Sequence, residues 1–391
     1  MSRRPGTPSL LRAINDRSAL ELLLSEGPLT RARLGELTGL SKVTASQLVS
    51  RLQDRGLIEV IGTRSAGRGP SAELYAVRPG CSHGVGIDMS PDEVVAAVAD
   101  ITGAVRGRVS RPVGDGDDPV RLVSDTVHAV TAQAEIGVTD VADVVVGTPG
   151  VVDPVTGDVG FVFDLPRWHR GLRDALCADL GCDVTIENDV NLAAMAEREY
   201  GAARDVDDLA LLWVGRGVGL AVVLGGRLHR GATGAAGEIG YLPVPGVPLP
   251  VSGNHHPDKR AFQRLVGAEA VSALAAEHGV AADGAAEAVR AALAAGSPAE
   301  AFLRELADRL AIGVAAVCAV VDPALVVLAG EVGAAGDGPL CDLVTRSMGR
   351  IVQFKSRLVP TGVPDAPVLR GALLTAVDQA REAMLASTAH D

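Results

Sequence analysis

The chain has 391 residues, 36 Lys+Arg against 48 Asp+Glu, and is 47% hydrophobic with only 3% aromatic residues. That length suits two or three domains with cores of Val, Leu and Ala, as in α/β proteins with buried parallel strands. No apolar run reaches the roughly 18–20 residues of a membrane span, and the Arg-rich N-terminus lacks the apolar stretch of a leader. The five cysteines (Cys81, Cys177, Cys182, Cys318, Cys341) are scattered without a C-x-x-C pair. That pattern fits reduced thiols in a cytoplasm and gives no support for a thiolate metal site.

Charge divides the chain. Residues 1–80 carry 12 Lys+Arg and 7 Asp+Glu, and the remaining 311 carry 24 and 41. Any polyanion binding is thereby assigned to the first eighty residues, and the acidic body is expected to repel nucleic acid.

Asp16–Glu26 reads as a helix through Leu20, Leu23 and Leu24, stopped by Gly27-Pro28. Thr30 caps a second helix that ends at Gly39, and Ser41 caps a third. In the third, Ala45, Leu48, Val49 and Leu52 make one buried face. Its other face shows Lys42, Thr44, Ser46, Gln47, Ser50 and Arg51, side chains suited to base edges and phosphates in a major groove. Strands at Leu57–Ile61 and Glu73–Val77 flank the loop G-T-R-S-A-G-R-G-P-S-A, whose Arg64 and Arg68 suit a wing entering a minor groove. The alternative is a helical interaction domain with a solvated polar face.

In the body, strands at Val85–Asp88 and Val94–Val98 precede a helix near Pro119–Ala134. The apolar strand Val141–Val146 then ends in Gly147-Thr148-Pro149-Gly150. Val184 and Ile186 lead into T-I-E-N-D-V-N-L-A-A-M-A-E, where Asn188 and Asp189 stand at a strand-to-helix junction. Such a pair either caps orphan N–H groups or holds ligand hydroxyls in a crevice. A strand at Leu209–Val214, a Gly-rich turn at 215–219, a hairpin through Gly225-Gly226 and the turn G-E-I-G-Y at 237–241 follow. Helices are predicted at Ala261–Gly279, Ala281–Ala295, Ala301–Val320 and Leu373–Leu385, with a strand at Leu325–Leu328. Both halves share one strand, hairpin and helix logic, which suits two similar lobes around a cleft.

Taken in order, S-K-V-T-A-S-Q-L-V, A-G-R-G-P-S-A-E-L-Y, V-G-T-P-G-V-V-D, D-L-P-x-W at Asp164–Trp168, E-N-D-V-N, G-V-G-L-A-V-V-L-G-G-R-L-H-R-G, G-A-A-G-E-I-G and D-P-A-L-V-V-L-A-G make the whole chain resemble the ROK family of repressors, open reading frames and sugar kinases. The resemblance implies an α/β fold: an N-terminal winged helix-turn-helix followed by a two-lobed actin-like (sugar-kinase, RNase H-like) body of the ATPase type. The expected domains are 1–80 for DNA binding, 81–187 for lobe I completed by a C-terminal helix at 371–391, and 188–370 for lobe II with the ligand cleft and oligomer contacts. The resemblance also implies that Asn188, Asp189 and Glu238 hold sugar hydroxyls with Pro149 and Gly150 lining the site, and that in the family's kinases the Asp matching Asp189 is the general base.

Two family features are altered. The phosphate loop D-x-G-G-T is here Asp88-Met89-Ser90-Pro91-Asp92, and the second loop G-T-G-I-G carries Arg216 in place of Thr. Pro91 has no N–H and Asp92 adds negative charge, so phosphoryl transfer is not expected. The family's zinc site takes a His after G-E-I-G and three Cys, whereas Tyr241 takes the His position and Val244–Pro257 has no Cys. His255-His256 reads as a polar loop, so no metal or cofactor is expected. The expected protein is a cytoplasmic transcriptional regulator, a repressor by family habit. It has DNA-reading residues Ser41, Lys42, Thr44, Ser46, Gln47, Arg51, Arg64 and Arg68, and ligand residues Pro149, Gly150, Asn188, Asp189, Glu238 and Tyr241. Its partners are operator DNA, a sugar or phosphosugar effector, and further copies of itself as a homodimer or dimer of dimers. The alternatives are a sugar kinase with a fused DNA-binding head, or a ligand-independent regulator whose body only oligomerises.

Overall fold

The computed structural model describes residues 8–64, 71–114, 116–161, 171–244, 246, 261–351, 353 and 355–388. The N-terminal unit is built from helices α1 (Pro8–Ser25), α2 (Arg31–Thr38) and α3 (Lys42–Asp54) and strands β1 (Leu29–Thr30), β2 (Ile58–Arg64) and β3 (Ala72–Val77). The strands pair in the order β1-β3-β2, so β2 and β3 form the wing hairpin. Helix α1 begins eight residues before its predicted start, at Pro8 rather than Asp16.

The body holds two five-stranded sheets with one topology. The first contains β4 (His83–Met89), β5 (Glu93–Asp100), β6 (Val105–Pro112), β7 (Val141–Thr148) and, beyond the small hairpin β8 (Val151–Val152) and β9 (Val159–Phe161), β10 (Asp183–Asn188). The second contains β11 (Leu209–Val214), β12 (Val218–Leu224), β13 (Arg227–Leu228), β14 (Leu325–Ala329) and β15 (Arg357–Pro360). Their orders are β6-β5-β4-β7-β10 and β13-β12-β11-β14-β15. In each, three antiparallel strands are followed by two that run parallel to the central one. The inner parallel strands β7 and β14 are apolar over most of their length, as strands covered on both faces must be, whereas the edge strand β10 alternates.

Helices α4 (Pro119–Gln133) and α5 (Leu172–Leu180) cover one face of the first sheet. In the second lobe, α7 (Gln263–Val266), α8 (Ala268–Glu277), α9 (Ala285–Ala295), α10 (Glu300–Val321) and α11 (Gly330–Met348) pack a core around Phe262, Phe302 and Leu306. The helix expected over Ala261–Gly279 is two helices, because Gly267 turns extended (φ −65°, ψ 160°) between them. The next starts at Ala285 rather than Ala281, after Gly284 at φ 104°.

Two helices join the lobes. Helix α6 (Asp189–Tyr200) puts Val190, Ala193 and Ala194 against the second sheet, while Leu192 meets Val145 of the first. It crosses α12 (Pro367–Ser387), which lies on the other face of the first sheet. Gly371 permits the crossing, since a Cβ there would stand 2.0 Å from the Leu192 carbonyl oxygen. The 21 residues of α12 run about 31 Å. Its far end enters the winged-helix core, where Ala380, Met384 and Leu385 pack with Leu20, Leu23, Leu48, Leu52 and Tyr75. Arg17 pairs with Glu382 at 3.0 Å, and Arg55 donates to the Ser387 hydroxyl at 3.0 Å. The N-terminal unit is therefore packed onto the body, with a shared core.

Candidate DNA-binding face and ligand cleft

Local chemistry sets the helix-turn-helix. The Thr30 hydroxyl accepts from the Arg33 N–H, Gly39 closes α2 in the left-handed region (φ 69°), and the Ser41 hydroxyl accepts from the Thr44 N–H. Ala45, Leu48, Val49 and Leu52 are buried, which turns Lys42 and Gln47 outward as exposed side chains. Thr44 is half-buried and its hydroxyl lies 2.9 Å from that of Ser41. Ser46 accepts from the Arg31 guanidinium at 3.0 Å, so Arg31, which periodicity did not single out, joins this face. Arg51, expected at phosphate, is turned inward: it donates to both oxygens of the buried Asp16, at 2.5 and 3.3 Å, and ties α3 to α1. Arg64 is exposed at the end of β2; Arg68 lies outside the described residues.

The cleft is assembled at the ends of β4, β7 and β10. Asn188 uses both halves of its amide: Oδ1 accepts from the Asn191 N–H at 3.1 Å and caps α6, while Nδ2 donates to the Gly150 carbonyl at 3.0 Å. The cap and the cleft are thus one device, because capping α6 also fixes the Pro149-Gly150 turn. Glu187 is 5% exposed and acts as a strut. One oxygen accepts from the Asn188 N–H and the Asn191 amide, the other from Arg230 at 2.6 Å. Asp189 follows at the first turn of α6, with Oδ1 on the Val190 N–H at 2.8 Å. Burial, reinforced by the charge of Glu238, pushes Asp189 up to about 6. Burial and the neighbouring Asp189 push Asp88, at the end of β4, up to about 7. Glu331, at the start of α11, adds negative charge to both and was not singled out by sequence. Glu238 heads the short turn Ile239–Tyr241, entered through Gly237 at φ 95°, where a Cβ would meet the Leu220 oxygen at 1.8 Å. Tyr241, at its end, is 38% exposed.

The two loops matching the kinase phosphate cradles are differently occupied. In Ser90-Pro91-Asp92, the Ser90 N–H bonds the Glu93 carbonyl, and the Ser90 hydroxyl takes the N–H groups of Asp92 and Glu93. The backbone donors of that turn are engaged within it. In the second turn, the Gly215 N–H bonds the Gly217 carbonyl, and the Gln263 side chain takes the Val218 N–H while donating to the Arg216 carbonyl. Arg216 reaches across to Asp92 at 2.5 Å. Beside this turn lies a cavity of about 470 Å³ lined by Gly215, Arg216, Ala268, Gly284, Arg290 and Glu331. Among the described residues, no group of three or more His, Cys, Asp or Glu side chains is placed to hold a metal ion. His255-His256 and Asp164–Trp168 lie outside those residues. The donors for a family-type zinc site do not fit, since Tyr241 ends the G-E-I-G-Y turn and the second-lobe cysteines, Cys318 and Cys341, are buried in its core.

A family model described as the ROK family matches residues 84–376. The chain belongs to the ROK family. A second model, described as the MarR family, matches residues 15–69 and covers the helix-turn-helix of this ROK member. Curated relatives include the xylose repressor of Bacillus subtilis, 26% identical over 60% of this chain and 62% of that protein. The DNA-binding transcriptional dual regulator NagC of Escherichia coli is 24% identical over 61% of this chain and 59% of its own. The aligned stretches cover less than two thirds of these relatives' lengths. Among solved structures, a ROK family transcriptional regulator, a homologue of the E. coli MLC protein, matches with TM-score 0.75 at 18% identity, covering 97% of this chain and 99% of that chain. A ROK hexokinase from Thermus thermophilus matches with TM-score 0.62 at 26% identity, covering 77% of this chain and 99% of its own. The fold is a winged helix-turn-helix joined to the ROK actin-like body.

Proposed function

We propose that this ROK member is a cytoplasmic DNA-binding transcriptional regulator, a repressor, controlled by a sugar bound between its lobes. The observation that carries the reading is the combination of a winged helix with a sugar-type cleft whose first phosphate turn has spent its own N–H groups on Ser90 and Glu93. Asn188, Asp189 and Glu238 offer hydrogen-bond partners for sugar hydroxyls, with Pro149-Gly150 and Tyr241 at the edges. Relatives named xylose repressor and N-acetylglucosamine repressor support a sugar as the ligand class. With the family's zinc donors missing, the site works without metal or cofactor.

The proposed division is 1–80 for DNA, 81–187 with 371–391 for lobe I, and 188–370 for lobe II. Operator DNA is bound by a homodimer or a dimer of dimers, and movement of the lobes is carried along α12 to the winged helix. Recognition helices must meet successive major grooves, so a change in their spacing weakens binding. A phosphosugar is the less favoured effector, because Asp189 and Glu331 add negative charge beside Asp88, and Glu238 and Glu331 add it beside Asp189.

Thermal unfolding of the full chain against xylose, N-acetylglucosamine, their phosphates and Mg-ATP tests the reading, since a ligand of the folded state raises the midpoint. A shift with a sugar and none with Mg-ATP is expected. A shift with both restores the kinase reading, which the cavity beside Arg216 keeps specific; a shift with none makes the body an assembly platform.

A further inference from the structure

Two arginines cross from the second lobe to carboxylates of the first, and the carboxylates differ in burial. Arg230, just beyond β13, pairs with Glu187 of β10 at 2.6 Å, with side chains 45% and 7% exposed. Arg216, between β11 and β12, pairs with Asp92 of the β4–β5 turn at 2.5 Å, with side chains 58% and 73% exposed. Glu187 is also bonded to the N–H of Asn188 and the amide of Asn191, so this pair is anchored at its buried carboxylate, where β10 becomes α6. Both turns of the exposed pair are braced locally. Ser90 holds the backbone of its turn, the Val113 N–H bonds the Asp92 carbonyl, and Gln263 fixes the Arg216 carbonyl. The exposed pair is therefore a contact between two stiff turns at the cleft mouth.

We propose that Glu187–Arg230 is the fulcrum of lobe movement and that Arg216–Asp92 is a clasp, an internal ion pair spanning the two altered phosphate turns that holds the lobes together. Breaking Glu187–Arg230 would strand the buried Glu187 carboxylate away from water, whereas water readily receives both partners of the exposed pair. Opening therefore proceeds at Arg216–Asp92, with Glu187–Arg230 intact. An exposed pair biases an equilibrium about two- to fivefold. That bias is weak enough for a bound ligand to override, and it fades as salt screens the charges. The inference rests on the ligand-cleft reading only for its consequence; the clasp operates without any ligand.

The test uses the full chain without sugar or DNA. Distance labels are introduced as noncanonical residues at the exposed positions Asp117 and Glu277, one on each lobe, and read from low to high NaCl. The wild type is expected to lose closed population two- to fivefold as NaCl rises through ~0.5 M. Arg216→Ala is expected to show the opened distribution at every salt, and the swap Asp92→Arg/Arg216→Asp to recover salt-sensitive closure. Arg230→Met, by contrast, is expected to broaden the distribution at all salt concentrations. A wild-type distribution unmoved by salt, or an Arg216→Ala distribution matching the wild type, would overturn the clasp. Because no effector is present, neither result depends on whether a sugar is the ligand.

Discussion

Arg51 distinguishes a structural from a DNA-reading role. Its guanidinium donates to both oxygens of Asp16, a residue only 4% exposed, and so joins positions 35 residues apart on α1 and α3. Removing one partner of a buried pair costs about 3–5 kcal/mol, because the remaining charge stays desolvated. The Arg51 side chain is 33% exposed, and water reaching the vacated space lowers the expected loss for Arg51→Met to about 2–3 kcal/mol. Urea unfolding of the full chain, followed by far-UV circular dichroism, should show this as an earlier transition. Asp16→Asn combined with Arg51→Met should recover most of the loss, since a neutral amide tolerates the site better than a lone carboxylate. Operator affinity per folded molecule, and its salt slope, should stay near wild type. Unchanged stability with a salt slope reduced by about one would refute the structural assignment and restore Arg51 as a phosphate contact.

Arg64→Ala, by contrast, should leave stability within about 0.5 kcal/mol but weaken operator binding and flatten its salt dependence, measured by fluorescence anisotropy across a salt series. Leu385→Ala should cost about 2–4 kcal/mol where α12 enters the winged-helix core. It should also blunt any effect of sugar on DNA binding while sugar affinity, measured by calorimetry, is retained. Asn188→Ala should lose the α6 cap, about 1 kcal/mol, and weaken ligand binding as well, because the same amide holds Gly150. Asp88 gives a pH signature. Its proton is held up to about 7 in the folded chain, but is released near 4 when unfolded. Between those values the folded state binds more protons, so this group's contribution to stability falls as pH rises across the window. Asp88→Asn should therefore stabilise the chain by about 1–2 kcal/mol at pH 8 and leave it unchanged at pH 4, read from unfolding midpoints at the two pH values.

The N-terminal unit was legible because its signals are local. Thr30, Gly39 and Ser41 are caps whose chemistry acts within three residues, and the buried face of α3 follows a simple period. The repeated strand and hairpin pattern of the body likewise announced two lobes of one design. Strand β6 was missed because V-R-G-R-V-S-R-P puts its charges on an exposed edge. Helix α11 was missed because G-E-V-G-A-A-G-D-G-P reads as a loop by propensity. It forms because Val332, Leu340 and Val344 complete the second-lobe core, and it still kinks at Asp337 before Pro339. In the cleft, the E-N-D-V-N motif located the junction, but not how its residues share the work. The pairs Arg230–Glu187, Arg51–Asp16 and Arg216–Asp92 join positions 43, 35 and 124 residues apart. Such distances carry no periodic signal.

Sugar control of DNA binding is tested by the affinity of the full chain for DNA selected from a random library, titrated with xylose, N-acetylglucosamine and glucose at fixed salt. One sugar is expected to change the dissociation constant by about 5–150-fold, and the change is expected to disappear in Asp189→Ala while sugar-free affinity is kept. Identical DNA affinity with and without every sugar, in a protein whose unfolding midpoint those sugars do raise, would contradict it.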